Sequence, residues 1–267
     1  MLELDRLPSP PEVSNISKSN FEGEVADLYS PVVMRGFAND WPLVQEALKS
    51  DRDALAYLMR NAGTGTFNMV RLDKSHNNRM FYDADDLTKF NFQLQPTSII
   101  DGLKLMAQGL ENPEQPNACF QCIPLKKAFP ALASQHTHPL INEKGVGYVW
   151  FGSKMKVAPH FDEAQNIAVA AVGRRRFTLF PPDQIENLYV GPVEKTPAGQ
   201  PISLVDLHNP DLEKHPKYEI AYQHAMSVEL NPGDAIYIPS PWWHHVESLS
   251  DFNFLVNYWW NDQRTST

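Results

Sequence analysis

The residues best able to do chemistry in this chain fall in two short runs, His160-Phe-Asp162 and His244-His245. Two imidazoles and one carboxylate can hold one face of an octahedral Fe(II) and leave the other positions open. Catalytic zinc accepts the same donors with one open position, so the donor set by itself leaves both metals in play. Spacing adds information. On a β-strand, residues i and i+2 share a face, so His160 and Asp162 would stand side by side and the third ligand must come from another strand. His244 and His245 would face opposite ways. His244 shares its face with Trp242 and Val246, whereas His245 shares its face with Glu247, whose carboxylate suits the outside. This parity favours His244 as the third ligand and leaves His245 a supporting or packing residue.

A cation lies beyond the first run. In Arg174-Arg175-Arg176, strand alternation turns Arg175 away from its neighbours and toward the face of Phe177 and Leu179. An inward arginine on an apolar face needs an anion, either a bound carboxylic acid or a structural Asp or Glu. Asn166 continues the parity of His160 and Asp162, and Asn257 is polar among apolar neighbours in the last strand. An acid held beside a metal favours an iron oxygenase over a zinc hydrolase.

Strands must position these groups. Continuous or alternating apolar runs predict strands at 147–151, a long one at 158–172 broken at Gly173, its hairpin partner at 175–180, and further strands at 226–230, 235–239, 246–249 and 253–260. The expected fold is mainly β, a double-sheet jelly roll of the cupin kind with helices around its N-terminal half. Its barrel core spans about 119–260 within a single domain at 31–267, after a loosely packed polar leader at 1–30. In the N-terminal half, strands are expected at 31–36, 67–72 and 79–82. Helices are expected from Asp40-Trp-Pro42 onward, over 51–61, and after a Thr97 cap through Gln108. The Pro- and Asp-rich stretch 190–220 reads as a functional insert.

Composition narrows the partners. The chain has 267 residues and a net charge of −9, which disfavours nucleic acid and anionic membranes. No apolar leader or membrane-length apolar run is seen, so a cytoplasmic location is expected. Cys119 and Cys122 form a lone C-x-x-C, expected to be two ordinary buried or half-buried thiols.

Several blocks occur together and in order: His160-Phe-Asp-Glu-Ala-Gln-Asn166, Phe180-Pro-Pro-Asp-Gln184, His208-Asn-Pro-Asp211, Pro232-Gly-Asp-Ala-Ile-Tyr-Ile-Pro239, Trp242-Trp-His-His-Val-Glu-Ser248 and Val256-Asn-Tyr-Trp259. From about Pro31 to Trp260 the chain resembles the JmjC-type, cupin-like 2-oxoglutarate oxygenases. Within them it is similar to the asparaginyl hydroxylases of the kind that inhibits hypoxia-inducible factor. The resemblance implies Fe(II) held by His160, Asp162 and His244, with 2-oxoglutarate and O2 as co-substrates. It implies that Asn166 and Asn257 lie near the co-substrate and that Arg175 replaces the family's lysine for its distal carboxylate. It also aligns a threonine and a tyrosine that hold the co-substrate with Val157 and Phe120, both of which lack the hydroxyl. The implied reaction is hydroxylation of a C–H bond, foremost on a protein or peptide side chain, with a small molecule or an N-methyl group as alternatives. A non-catalytic cupin that binds a metal or a small acid is the rival of a different class. The family's dimerisation helices beyond the barrel have no counterpart here, so a monomer or a different dimer is expected.

Overall fold

The computed structural model describes residues 3–261, apart from the side chains of 142–144. In chain order the strands are β1 (Glu12–Ser14), β2 (Val32–Arg35), β3 (Thr66–Leu72), β4 (Arg79–Met80), β5 (Phe92–Ser98), β6 (Asn117–Pro124) and β7 (Val146–Gly152). They continue with β8 (Lys156–His160), β9 (Gln165–Val172), β10 (Arg175–Phe180), β11 (Met226–Leu230), β12 (Ala235–Ile238), β13 (Trp243–Ser248) and β14 (Asn253–Trp260). They form a 9-stranded sheet, β1-β2-β12-β9-β14-β7-β6-β3-β5, and a 5-stranded sheet, β11-β10-β13-β8-β4. Two mostly antiparallel sheets face to face make the jelly roll read from the sequence.

Alternation along the central strands sorts side chains into two cores. On β9, Ala168 and Ala170 face the small sheet and meet Phe177, Leu179, Val246 and Leu255. Ile167, Val169 and Ala171 face the other way, in a second core that takes in helix Asp51–Asn61 through Leu55 and Leu58 and helix Ile99–Glu111 through Leu103 and Met106. The large sheet is therefore buried on both faces, which is why its central strands read as unbroken apolar runs. The long helix begins at Ser98, whose hydroxyl accepts the Asp101 N–H. The cap is thus one residue after the expected Thr97, because β5 runs through Thr97 before the helix starts.

Three other expectations are corrected. The segment 158–172 is not one strand. β8 ends at His160 in the small sheet, β9 starts at Gln165 in the large one, and the chain crosses between the sheets in between. Nor is β10 the hairpin partner of β9. Gly173, at φ +71, turns the chain back across the sandwich, and β10 pairs with β11 and β13. Alternation is the same whether a strand pairs with its chain neighbour or crosses over, so hydropathy carried no sign of either crossing.

The third correction is the N-terminus. Residues 3–30 are part of the packed fold. β1 pairs in parallel with β2 at the edge of the large sheet, and Phe21 and Val25 are buried in the helix-side core. Their polar neighbours mask these anchors in the sequence. The insert is also more ordered than its composition suggests: Val190 bridges Ser203, Ile202 bridges His160, and a helix runs over Tyr218–Gln223.

Candidate metal centre

His160 ends β8, and His244 is the first residue of β13 paired with that strand, directly opposite it. Their rings lie 4.3 Å apart between centroids. Asp162 sits two residues past the end of β8, in the crossing between sheets. Local alternation survives there, because Phe161 turns outward onto Trp243 while Asp162 turns in. One donor atom from each of His160, Asp162 and His244 lies within 4.8 Å of the other two.

Backbone carbonyls orient both imidazoles. Nδ1 of His160 lies 2.9 Å from the Ala158 carbonyl, and Nδ1 of His244 lies 3.2 Å from the Trp242 carbonyl. With Nδ1–H donating, each ring offers the lone pair of Nε2 to the shared space, the usual arrangement for a metal-binding histidine. His244 Nε2 lies 3.7 Å from Asp162 Oδ2. Burial and the nearby His160 push the His244 imidazole down to about 4 against the pull of Asp162, so at neutral pH it is in the uncharged form that binds metals.

The carboxylate is anchored from the opposite sheet. Asp162 Oδ2 accepts from Trp259 Nε1 at 3.0 Å and from Asn166 Nδ2 at 3.2 Å. Asn257 Nδ2 in turn donates to Asn166 Oδ1 at 3.0 Å. The two asparagines thus form a relay from β14 through β9 to Asp162, and the Asn257 carbonyl oxygen is buried without a partner. Trp259 was not singled out from sequence. Its signal was its parity with Asn257 on β14, one strand position further along the same face.

All of these groups line one cavity of about 340 Å3, together with Arg175, Trp150, Val157 and Phe177. Arg175 is 6% exposed. Its Nη2 donates to the Trp150 carbonyl at 3.3 Å and its Nε has no partner. Among the described residues no carboxylate pairs with it, so the structural salt bridge is absent. Burial pushes its guanidinium down to about 10, partly offset by Cys119, which leaves a cation at neutral pH. Its place on β10 is four residues from Leu179, which pairs with His244. That is about 13 Å along the strand, a gap that a short dicarboxylic acid and the arginine side chain can bridge together.

The positions aligned with the family's co-substrate hydroxyls part company here. Val157 lines the cavity. Phe120 does not: it packs on Phe151 at 5.0 Å between ring centroids, in the helix-side core. An irregularity of β6 between Phe120 and Ile123, with Cys122 at φ +51, puts Cys122 rather than Phe120 at the cavity. Cys122 is exposed rather than half-buried, while Cys119 is buried. Burial raises both thiols, Cys119 to about 12, so neither is a ready thiolate.

A family model described as a cupin-like domain matches residues 18–266, nearly the whole chain. The chain belongs to this cupin-like, JmjC-type family. Among its cupin-like relatives, lysine-specific demethylase 8 of Xenopus tropicalis is 26% identical over 266 residues, which cover 97% of this chain and 54% of that protein. Lysine-specific demethylase JMJ31 of Arabidopsis thaliana is 31% identical over 118 residues, 44% of this chain and 21% of that protein. The human HSPB1-associated protein 1 is 36% identical over 115 residues, 42% of this chain and 22% of that protein. The chain thus spans about half or less of these relatives. No helix among the described residues is long and apolar enough to cross a membrane.

Proposed function

We propose that this cupin-like chain is an Fe(II)- and 2-oxoglutarate-dependent oxygenase that inserts oxygen into a C–H bond, foremost on a protein or peptide side chain. The observation that carries the reading is Arg175, a buried guanidinium without a counter-anion in the same cavity as two oriented imidazoles and an anchored carboxylate. A buried cation of this kind calls for an acid ligand. The donor set suits Fe(II), with zinc the chemical competitor.

His160, Asp162 and His244 would hold the iron. Bound iron, with O2 and 2-oxoglutarate, supplies the oxidising power, and the oxo acid leaves as succinate and CO2. The chain's own residues do the rest. Arg175 would take the distal carboxylate of the oxo acid. Asn166 and Trp259 keep Asp162 oriented, and Asn257 offers its unpartnered carbonyl to the cavity. Phe177, Val157 and Leu255 supply apolar lining to the cavity, and Ala198 and Gln200 bring the insert to its wall, where they would help shape the space for a substrate.

Demethylation is a second reading, favoured by the names of two relatives, both lysine-specific demethylases. Oxygen insertion at an N-methyl carbon uses the same residues, and the product then loses the methyl group as formaldehyde. Mass spectrometry of candidate peptides after anaerobic loading with Fe(II) and 2-oxoglutarate and exposure to O2 separates the two. Hydroxylation adds one oxygen atom, and demethylation removes one methylene. Succinate should form with wild type and not with Asp162→Ala. Arg175→Ala should raise the 2-oxoglutarate requirement about 10- to 100-fold, the worth of a charged hydrogen-bonded pair, without changing metal affinity. Undiminished succinate from Asp162→Ala, or unchanged co-substrate dependence in Arg175→Ala, would falsify the assignment.

A further inference from the structure

On the face of β13 opposite His244, three side chains converge that the oxygenase reading leaves unused. His245 and Glu247 project from the strand, and His208 reaches them from the insert. One donor atom from each lies within 4.8 Å of the other two. His208 Nε2 is 3.4 Å from Glu247 Oε2. A tetrahedral zinc with ligands at about 2.0–2.1 Å has donor–donor edges of about 3.3 Å. This pair therefore already stands at a ligand spacing, and side-chain rotation has to bring in only the His245 nitrogen.

Hydrogen bonding within the cluster does not account for it. His245 is 4% exposed, yet neither ring nitrogen makes a well-formed hydrogen bond, although the Val157 backbone lies near. His208 Nε2 and Glu247 Oε2 are buried as well and make no hydrogen bond, only their 3.4 Å contact with each other and the 3.7 Å contact of Glu247 with Arg176. A bond between His208 and Glu247 would satisfy that pair and leave His245 with at most the Val157 backbone as a partner. Buried unmatched polar atoms are costly, and here they share one gap. Arg176 does not fill it. Its guanidinium is held by Asp5 at 2.6 Å and Glu229 at 2.7 Å and stays 3.7 Å from Glu247. Lys156 and Arg79 add positive charge nearby, and Asp206 adds negative charge.

We propose that His208, His245 and Glu247 form a second divalent-cation site, of the zinc class, separate from the triad. Two imidazoles and one carboxylate match zinc's donors. The site would tie the insert to the small sheet. In the same insert Ala198 and Gln200 line the cavity and Ile202 bridges His160, so a loaded site would tether the segment that carries that wall.

The test removes the first site and asks whether a metal still binds. His160→Ala/Asp162→Ala protein, stripped with chelator and verified as folded by circular dichroism, is titrated with Zn2+ alone and then desalted for metal analysis. We expect one equivalent retained and a higher Tm in its presence. Adding His208→Asn, or separately Glu247→Gln, should remove that equivalent and the Tm gain. If the double variant does not fold, wild type should bind two equivalents of Zn2+ and His208→Asn only one. Retention of no zinc by the folded double variant overturns the proposal. So does a full equivalent that survives both further substitutions, or equal zinc content in wild type and His208→Asn. None of these outcomes depends on succinate formation, so the oxygenase reading stands or falls separately.

Discussion

Asp162 differs from the two histidines in being oriented by other side chains rather than by backbone carbonyls. One of its oxygens takes two hydrogen bonds, from Trp259 and Asn166. Trp259→Phe keeps an aromatic side chain and removes the N–H, so it should weaken Fe(II) or Mn(II) binding about 10- to 100-fold, the usual loss when a partner behind a metal ligand is removed. Calorimetry with Mn(II) measures this without turnover, and affinity equal to wild type would show that Asn166 suffices. At this scale the sequence was informative where types and parity converge. His160, Asp162, His244 and Arg175 were all legible in it, and the structure brings them to one cavity. Phe120 sits in regular pairing with Met69 and Phe151 and faces the core, while a one-residue irregularity after it turns Cys122 to the cavity, and neither Cys122's left-handed backbone nor the bulge leaves a mark in composition.

Between elements, His136 joins pieces far apart in the chain. Its Nε2 accepts the Leu43 N–H at 3.2 Å, opening helix Pro42–Ala47, while its Nδ1 lies 3.1 Å from the Leu132 carbonyl of helix Pro130–Gln135. Only the neutral ring can accept from Leu43. Burial pushes it down to about 4 from an ordinary value near 6.5, despite the Leu132 carbonyl. The folded-state pKa is lowered, so the stability it represents is full above about pH 6.5 and is lost as pH falls toward and through 4, by up to about 3 kcal/mol. His136→Gln can keep both bonds without taking up a proton. Its Tm should therefore fall less than that of wild type between pH 7 and pH 4.5; parallel curves would place the acid sensitivity elsewhere. Elements with a strong local signature, such as β10 and the 51–61 helix, were legible in the sequence to the residue. The sheet to which each strand belongs was not, because hydropathy reports which faces are buried and not which neighbour buries them.

For the whole molecule, the N-terminal segment matters more than its polarity suggests. Phe21 is 1% exposed and packs edge-on to Tyr237 of β12, with ring centroids 5.5 Å apart. Arg35 of β2 binds Glu12 of β1 at 2.6 Å and Asp234, beside β12, at 2.7 Å. Phe21→Ala should cost about 3–5 kcal/mol, as for other large buried aromatics, readable as a lower urea midpoint. A change within error would return this segment to the status of a loose leader. The triad has its own relation to the architecture. His160 and His244 belong to the small sheet, whereas Asp162 is held by Asn166 and Trp259 of the large one. Any shift of the two sheets against each other would move the hydrogen-bond partners of Asp162 relative to the two imidazoles, so a ligand held by all three side chains would also brace one sheet against the other.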